Sequence, residues 1–171
     1  ADAAARERGE RIAVLGVGNL LMRDDGVGIH VVRALERAGL PDAVQIIDGG
    51  TAAFEALCHV QPLDRLIVVD AVQYGGAPGS IYRLTPDQIE ERPATAVSLH
   101  DIGVLESLRM SEPNHVCPES VVIFGVEPEA IDWGLELSEP VQAVIPKVVR
   151  GVVDELSERA DRGVSTCSSR K

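Results

Sequence analysis

Two adjacent carboxylates in a glycine-rich turn are the first residues of this chain whose types and spacing could do chemistry. Asp24 and Asp25 stand in LGVGNLLMRDDGVG, Leu15 to Gly28, just after an apolar run. A glycine-rich turn after a strand commonly cradles phosphate, yet here two negative charges occupy the place of the anion. A dinucleotide fingerprint needs a third glycine three residues past Gly18, where Leu21 stands, and no Gly-Lys-Ser/Thr follows. Both observations argue against a Rossmann site or a P-loop. The bland reading is a tight turn in which Asp24 caps the following helix. It leaves Asp25 unexplained.

Two further residues stand out. Asp70 follows Leu66-Ile67-Val68-Val69 and precedes Ala71. A carboxylate at the end of an apolar strand needs a partner or a proton. It is either a loop cap or a metal ligand or general acid/base. His100, in SLHDIG, falls in the first turn of an expected helix. The helix dipole there disfavours imidazolium, so a neutral ring is available to bind metal or accept a proton. The alternative is a surface histidine beside a cap. Two carboxylates and an imidazole are oxygen and nitrogen donors suited to a divalent transition metal with open positions.

Other reactive residues read as structural. His30 lies on the first helix beside core positions, and His59 ends a short helix. His115 and Cys117 make a two-ligand H-x-C, a weak metal signal. Cys58 shares a helix with Phe54 and Leu57 and is expected to be buried. Cys167 lies in a polar tail with nothing to lower its pKa. There is no G-x-S-x-G elbow.

The elements that must position these residues alternate. Strands are expected at Ile12 to Val17, Val44 to Ile47, Arg65 to Val69, Ser80 to Leu84 and Val121 to Val126. Helices are expected at Asp25 to Ala38, Ala52 to His59, Ser98 to about Met110 and Ser138 to Leu156. Pro140 fits the first turn of the last helix and Pro146 should kink it. Such alternation implies an α/β fold, a three-layer α/β/α sandwich around a mostly parallel sheet of about five strands. Ligands bind such sheets at the carboxyl ends of the strands. Asp25, Asp48 and Asp70 follow or end the first three strands, so a convergent acidic edge is expected.

The bulk numbers bound the function. A chain of 171 residues with 45% hydrophobic residues suits one domain, here placed at 11–157. Residues 1–10 read as a mobile leader and 158–171 as a disordered tail. A net charge of -11 argues against nonspecific nucleic-acid binding and against an anionic membrane surface. Three cysteines without a CxxC pair fit neither a disulfide framework nor a zinc ribbon, which makes a reducing cytoplasm the default.

GVGNLLMRDDGVG, the following DGGT, the strand-end VVDA and the later SLHDIG together resemble the hydrogenase maturation endopeptidases. The resemblance spans about Arg11 to Leu156. It implies a twisted α/β/α fold. It also implies a protease that removes a short C-terminal extension from the large-subunit precursor of a nickel-iron hydrogenase, after nickel insertion. The family's metal-contacting positions correspond to Asp25, where some members have Glu, and to Asp70 and His100. The resemblance assigns Gly18, Asn19, Asp48, Gly49, Gly50 and Thr51 to the substrate cleft. Nickel is then supplied by the precursor, no tightly bound cofactor is expected, and the protease is expected to be a monomer. On this reading the cation that answers the two acids belongs to the substrate, as a Lewis acid or water activator. A competing mechanism has Asp25 and Asp70 share a proton, with nickel only a recognition handle. Two other classes use the same residues differently: a non-enzymatic nickel carrier, and a nucleotide-binding enzyme.

Overall fold

Apolar runs, Ile12 to Val17 and Leu66 to Val69, make the middle of the sheet. The computed structural model describes residues 10–60, 62–90 and 118–158. The strands are β1 (Ile12–Val17), β2 (Val44–Gly50), β3 (Arg65–Ala71), β4 (Ile81–Leu84) and β5 (Ser120–Val126). The helices are α1 (Val27–Ala38), α2 (Ala53–Cys58), α3 (Pro86–Glu90) and α4 (Glu139–Ser157). A 3-10 turn, Arg23–Gly26, precedes α1. The helix expected from Ser98, with His100, and the residues His115, Cys117 and Cys167 lie outside the described residues. So do residues 1–9 of the leader and 159–171 of the tail.

The five strands run in the order β2-β1-β3-β5-β4. All neighbours are parallel except β4, which pairs antiparallel with β5 and forms one edge. β1 and β3 are buried along their whole length. Their side chains alternate between two cores, as the two-residue period of a strand requires. Val14, Ile67, Val69 and Phe124 meet Val31, Val32 and Leu35 of α1 and Val141, Val148 and Val152 of α4. Leu15, Val17, Leu66, Val68 and Ile123 meet Leu57 of α2 and Ile89 of α3. The helices therefore cover both faces, as expected for the three-layer sandwich.

Several element ends differ from the expectation by one or two residues, β3 among them, which runs on through Asp70 to Ala71, and three differences are larger. β2 continues through Asp48 to Gly50, because parallel pairing with β1 extends past the apolar residues to Gly16↔Asp48 and Val17↔Gly50. The first helix begins as a tighter 3-10 turn and becomes α-helical only at Val27. α3 was not expected: it is only five residues long and is held by packing Ile89 into the core. The last helix continues through Pro146 to Ser157.

At the amino edge of the sheet, buried Arg65 donates to the Glu155 carbonyl at 2.7 Å. Arg83 grips the Glu155 carboxylate with two bonds, at 2.6 and 2.8 Å. That fork holds the Glu155 carboxyl below its usual range, against the opposing effect of burial. It pins the end of α4 across β3 and β4.

At the carboxyl edge, α1 comes down onto bare backbone. A Cβ at Gly28 would collide with the carbonyl oxygens of Val17 and Val69, so only glycine lets the helix start sit against β1 and β3. Gly28→Ala is expected to cost about 2–3 kcal/mol, because neither neighbour is a flexible side chain that can yield. Urea unfolding followed by circular dichroism measures this, and an unchanged midpoint would contradict the close approach.

Candidate active site

The order of connection changes sense between β1 and β3, and in parallel sheets of this kind such a switch point is where a ligand crevice forms at the carboxyl ends of the strands. The loop after β1 and the last residues of β3 flank it. Asp25 lies in the 3-10 turn that follows β1 and packs against β3, and is 9% exposed. Asp70 is the penultimate residue of β3 and fully buried. The fold thus carries both residues to the carboxyl edge, Asp25 in the turn that follows β1 and Asp70 near the end of the adjoining β3.

Local hydrogen bonds set the turn. The Asn19 amide donates to the Asp25 carboxylate at 2.9 Å. The Asn19 side-chain oxygen accepts from the Leu21 amide at 2.9 Å, an Asx turn that folds the loop back on itself. Gly18 has φ of +132°, and a Cβ there would strike the Asp25 carbonyl. This is the physical reason for glycine beside the acid. The Asp70 carboxylate accepts from the Ala71 amide at 2.8 Å.

DGGT meets the same loop. The Gly18 amide donates to the Gly50 carbonyl at 2.9 Å, and the Ala52 amide to the Gly49 carbonyl at 2.9 Å. Gly49, Gly50 and Thr51 therefore run beside Gly18 and Asn19 at the carboxyl edge. Asp48 is half-exposed and pairs with Arg33 at 3.3 Å, so it points its charge to the α1 surface. Its pairing gives it a surface ion pair worth little in stability.

Asp24 does not cap α1. Its carboxylate is fully buried and reaches across the molecule. One oxygen accepts the Ser138 amide at 2.7 Å. The other accepts the Glu129 and Ala130 amides, each at 2.9 Å, and the Ser138 hydroxyl at 2.7 Å. Burial pushes this carboxyl up, but these bonds outweigh burial and hold it below its ordinary value. The cap reading fails because the partners lie more than a hundred residues away, where no local pattern could reveal them. The adjacent Arg23 carries a left-handed φ of 49°. Its amide bonds the Gly134 carbonyl at 2.9 Å and its guanidinium approaches Asp132 at 3.6 Å, which hold a backbone that costs about 1 kcal/mol or more.

Glu127 is a buried acid that the sequence reading missed. It follows β5 and accepts the amides of Tyr74 at 2.8 Å, Gly75 at 3.3 Å and Gly76 at 3.2 Å, with the Tyr82 hydroxyl at 2.8 Å. Burial first, and then the hydrogen bond to Glu127 and its charge, push the Tyr82 phenol up. Glu127 thereby fixes the loop that leaves Asp70. The signal that singled out Asp70, a carboxylate closing an apolar strand, was equally present here.

His59 is exposed and shares a hydrogen bond with the Glu55 carbonyl at 2.7 Å. His30 is half-buried on α1, and burial, with Arg33 and Arg37 nearby, pushes its pKa down. Neither joins the carboxyl-edge loops. Among the described residues no three His, Cys, Asp or Glu side chains are grouped as a metal site. The third expected donor, His100, lies outside those residues.

Known proteins resemble this chain in sequence and in structure. The model of a hydrogenase maturation protease family matches residues 29–155. The hydrogenase expression/formation protein HoxM of Azotobacter vinelandii is 39% identical over 151 residues, 86% of this chain and 73% of its own. The hydrogenase 2 maturation protease of Escherichia coli is 36% identical over 150 residues, 86% of this chain and 92% of its own. Among solved structures, the hydrogenase maturating endopeptidase HybD from E. coli superposes with a TM-score of 0.76 at 35% identity, covering 85% of this chain and 91% of that one. The maturation protease HybD from Thermococcus kodakarensis gives 0.73 at 27% identity, covering 86% and 99%.

Asp24→Asn places an amide NH2 among four donors and is expected to cost about 2–4 kcal/mol, whereas Ser138→Ala costs about 1 kcal/mol. Because the folded carboxyl sits below its unfolded value, its contribution is complete above the unfolded pKa, about 3.9. It fades as pH falls through the lower folded value. Urea midpoints measured from pH 7 to pH 3 should therefore drop less steeply in the variant. Parallel acid limbs would contradict this role.

Proposed function

The chain belongs to the hydrogenase maturation protease family and is a peptide hydrolase, and from that premise we propose that it removes a short C-terminal extension from the large-subunit precursor of a nickel-iron hydrogenase once nickel is in place. The observation that carries the reading is the reversal of strand order between β1 and β3, flanked by the loop of Asp25 and the end of β3 at Asp70. An acidic crevice is unsuited to a phosphate-bearing nucleotide and suited to a cation. In this proposal the cation is the nickel of the substrate, held by precursor thiolates. Asp25, Asp70 and His100 complete its coordination with oxygen and nitrogen donors. The protease therefore needs no resident metal, and an unloaded precursor offers it no ion to grip.

Hydrolysis then needs a water beside the scissile carbonyl, a group to take its proton and a group to return one to the leaving amine. A carboxylate at the crevice serves the first purpose and its protonated form the second. Asn19 and Gly18 shape the approach to Asp25, and Gly49, Gly50 and Thr51 border the path of the extended substrate. Residues 73–80, tied to Glu127, wall the side after β3. Proton sharing between the two aspartates, with nickel only a handle, uses the same residues. It differs in keeping activity toward an extension presented without the ion.

Purified protein mixed with nickel-loaded precursor is expected to shorten it, seen as a small loss of mass, and to leave nickel-free precursor intact. A nickel carrier would bind the ion and leave both lengths unchanged. Asp70→Asn and His100→Ala are each expected to lower the cleavage rate by roughly 100-fold or more while the circular dichroism spectrum stays that of the parent. Near-normal cleavage by Asp70→Asn would remove that residue from ligation and from proton transfer. An unfolded His100→Ala variant would make the histidine structural.

A further inference from the structure

The loop between β5 and α4 displays large apolar side chains to solvent. Trp133 is 80% exposed, Leu135 69%, and Ile131 41%, with Leu21 of the first loop at 50%. Trp133 is the only tryptophan of the chain. These residues are gathered at one junction. The Gly134 amide bonds the Leu21 carbonyl at 3.0 Å, the Arg23 amide bonds the Gly134 carbonyl at 2.9 Å, and Met22 bridges Gly134 in parallel. Leu21 therefore lies against the stretch that carries Trp133 and Leu135.

This surface is tied down at both ends and has a charged rim. The Asp24 carboxylate holds both ends of the loop, through Glu129 and Ala130 on one side and Ser138 on the other. An apolar patch held in one shape loses little side-chain and loop entropy on binding, and tryptophan is the residue most enriched at binding hot spots. Glu129, Asp132, Glu136 and Glu139 are exposed around it. Two copies of a chain of net charge -11 would bring these like charges together, so charge disfavours a second copy as occupant.

We propose that this patch is the docking surface for the precursor large subunit, whose matching face presents an apolar recess ringed by lysine or arginine. The proposal rests on the proteolytic reading above and extends it. Leu21 is three residues from Asp24 and four from Asp25, so a partner seated on the patch also reaches the carboxyl edge. Docking there would let the protease hold the folded body of its substrate while the extension enters the crevice.

The test is steady-state cleavage of nickel-loaded precursor by the full chain and by Trp133→Ala, Trp133→Phe and Leu135→Ser. Trp133→Ala is expected to raise KM roughly ten-fold or more and keep kcat within about two-fold, with Trp133→Phe recovering most of the loss. Urea midpoints equal to the parent's establish that the variants are folded. An unchanged KM in Trp133→Ala and Leu135→Ser, with normal cleavage, overturns the docking surface and leaves the protease reading standing. A loss confined to kcat also overturns it. A parent that leaves the precursor's mass unchanged overturns both readings. Sedimentation showing a dimer that Trp133→Ala dissociates would hand the patch to a second copy and overturn the proposal.

Discussion

A single buried carboxylate joins the two ends of this fold. Asp24 is taken out of water completely, and a charge so placed is tolerated only when its lone pairs are filled. Three amides and a hydroxyl fill them, all from the segment between β5 and α4. The first loop, the loop after β5 and the start of α4 are thereby tied together. Asp25 inherits its position from that anchoring. Of the two adjacent acids, one is structural and the other is left at the crevice, a division of labour that side-by-side residues achieve because their side chains leave the tight turn in different directions.

The same edge repeats this arrangement on a smaller scale at Glu127, which gathers three successive amides and a phenol. Loops that bound a crevice have few backbone partners of their own, and a buried carboxylate supplies several acceptors at once. The basic counterpart lies at the other end of the sheet, where Arg65 and Arg83 converge on Glu155. Anions bound by backbone amides are thus concentrated where the strands end, and an ion-pair cluster where they begin. The first arrangement fixes loops, the second fixes a helix end.

How much could be read from residues alone follows from the range of each interaction. β1 and β3 were legible because burial on both faces writes an unbroken apolar run into the chain, Ile12 to Val17 in one and Leu66 to Val69 in the other. α1 was legible from Val27, Val31, Val32 and Leu35, which recur at helical spacing. The extension of β2 through Asp48 was not, since backbone pairing with β1 rather than side-chain hydropathy prolongs it. α3 was missed because five residues hold less than two turns of periodicity. The partners of Asp24 are set by tertiary contact across the sheet, and no window along the chain contains both. The aspartates of the first and third strands could be assigned to one edge from strand order alone. The exposed loop around Trp133 carried no signal, because an apolar residue looks the same in a sequence whether it is inside or outside.

The exposure of that lone indole has a practical side. Intrinsic tryptophan emission is the usual optical reporter of unfolding, and it responds to transfer of the ring from core to water. Here the ring is already in water in the native state. The tryptophan emission of this protein should therefore change little when its core melts.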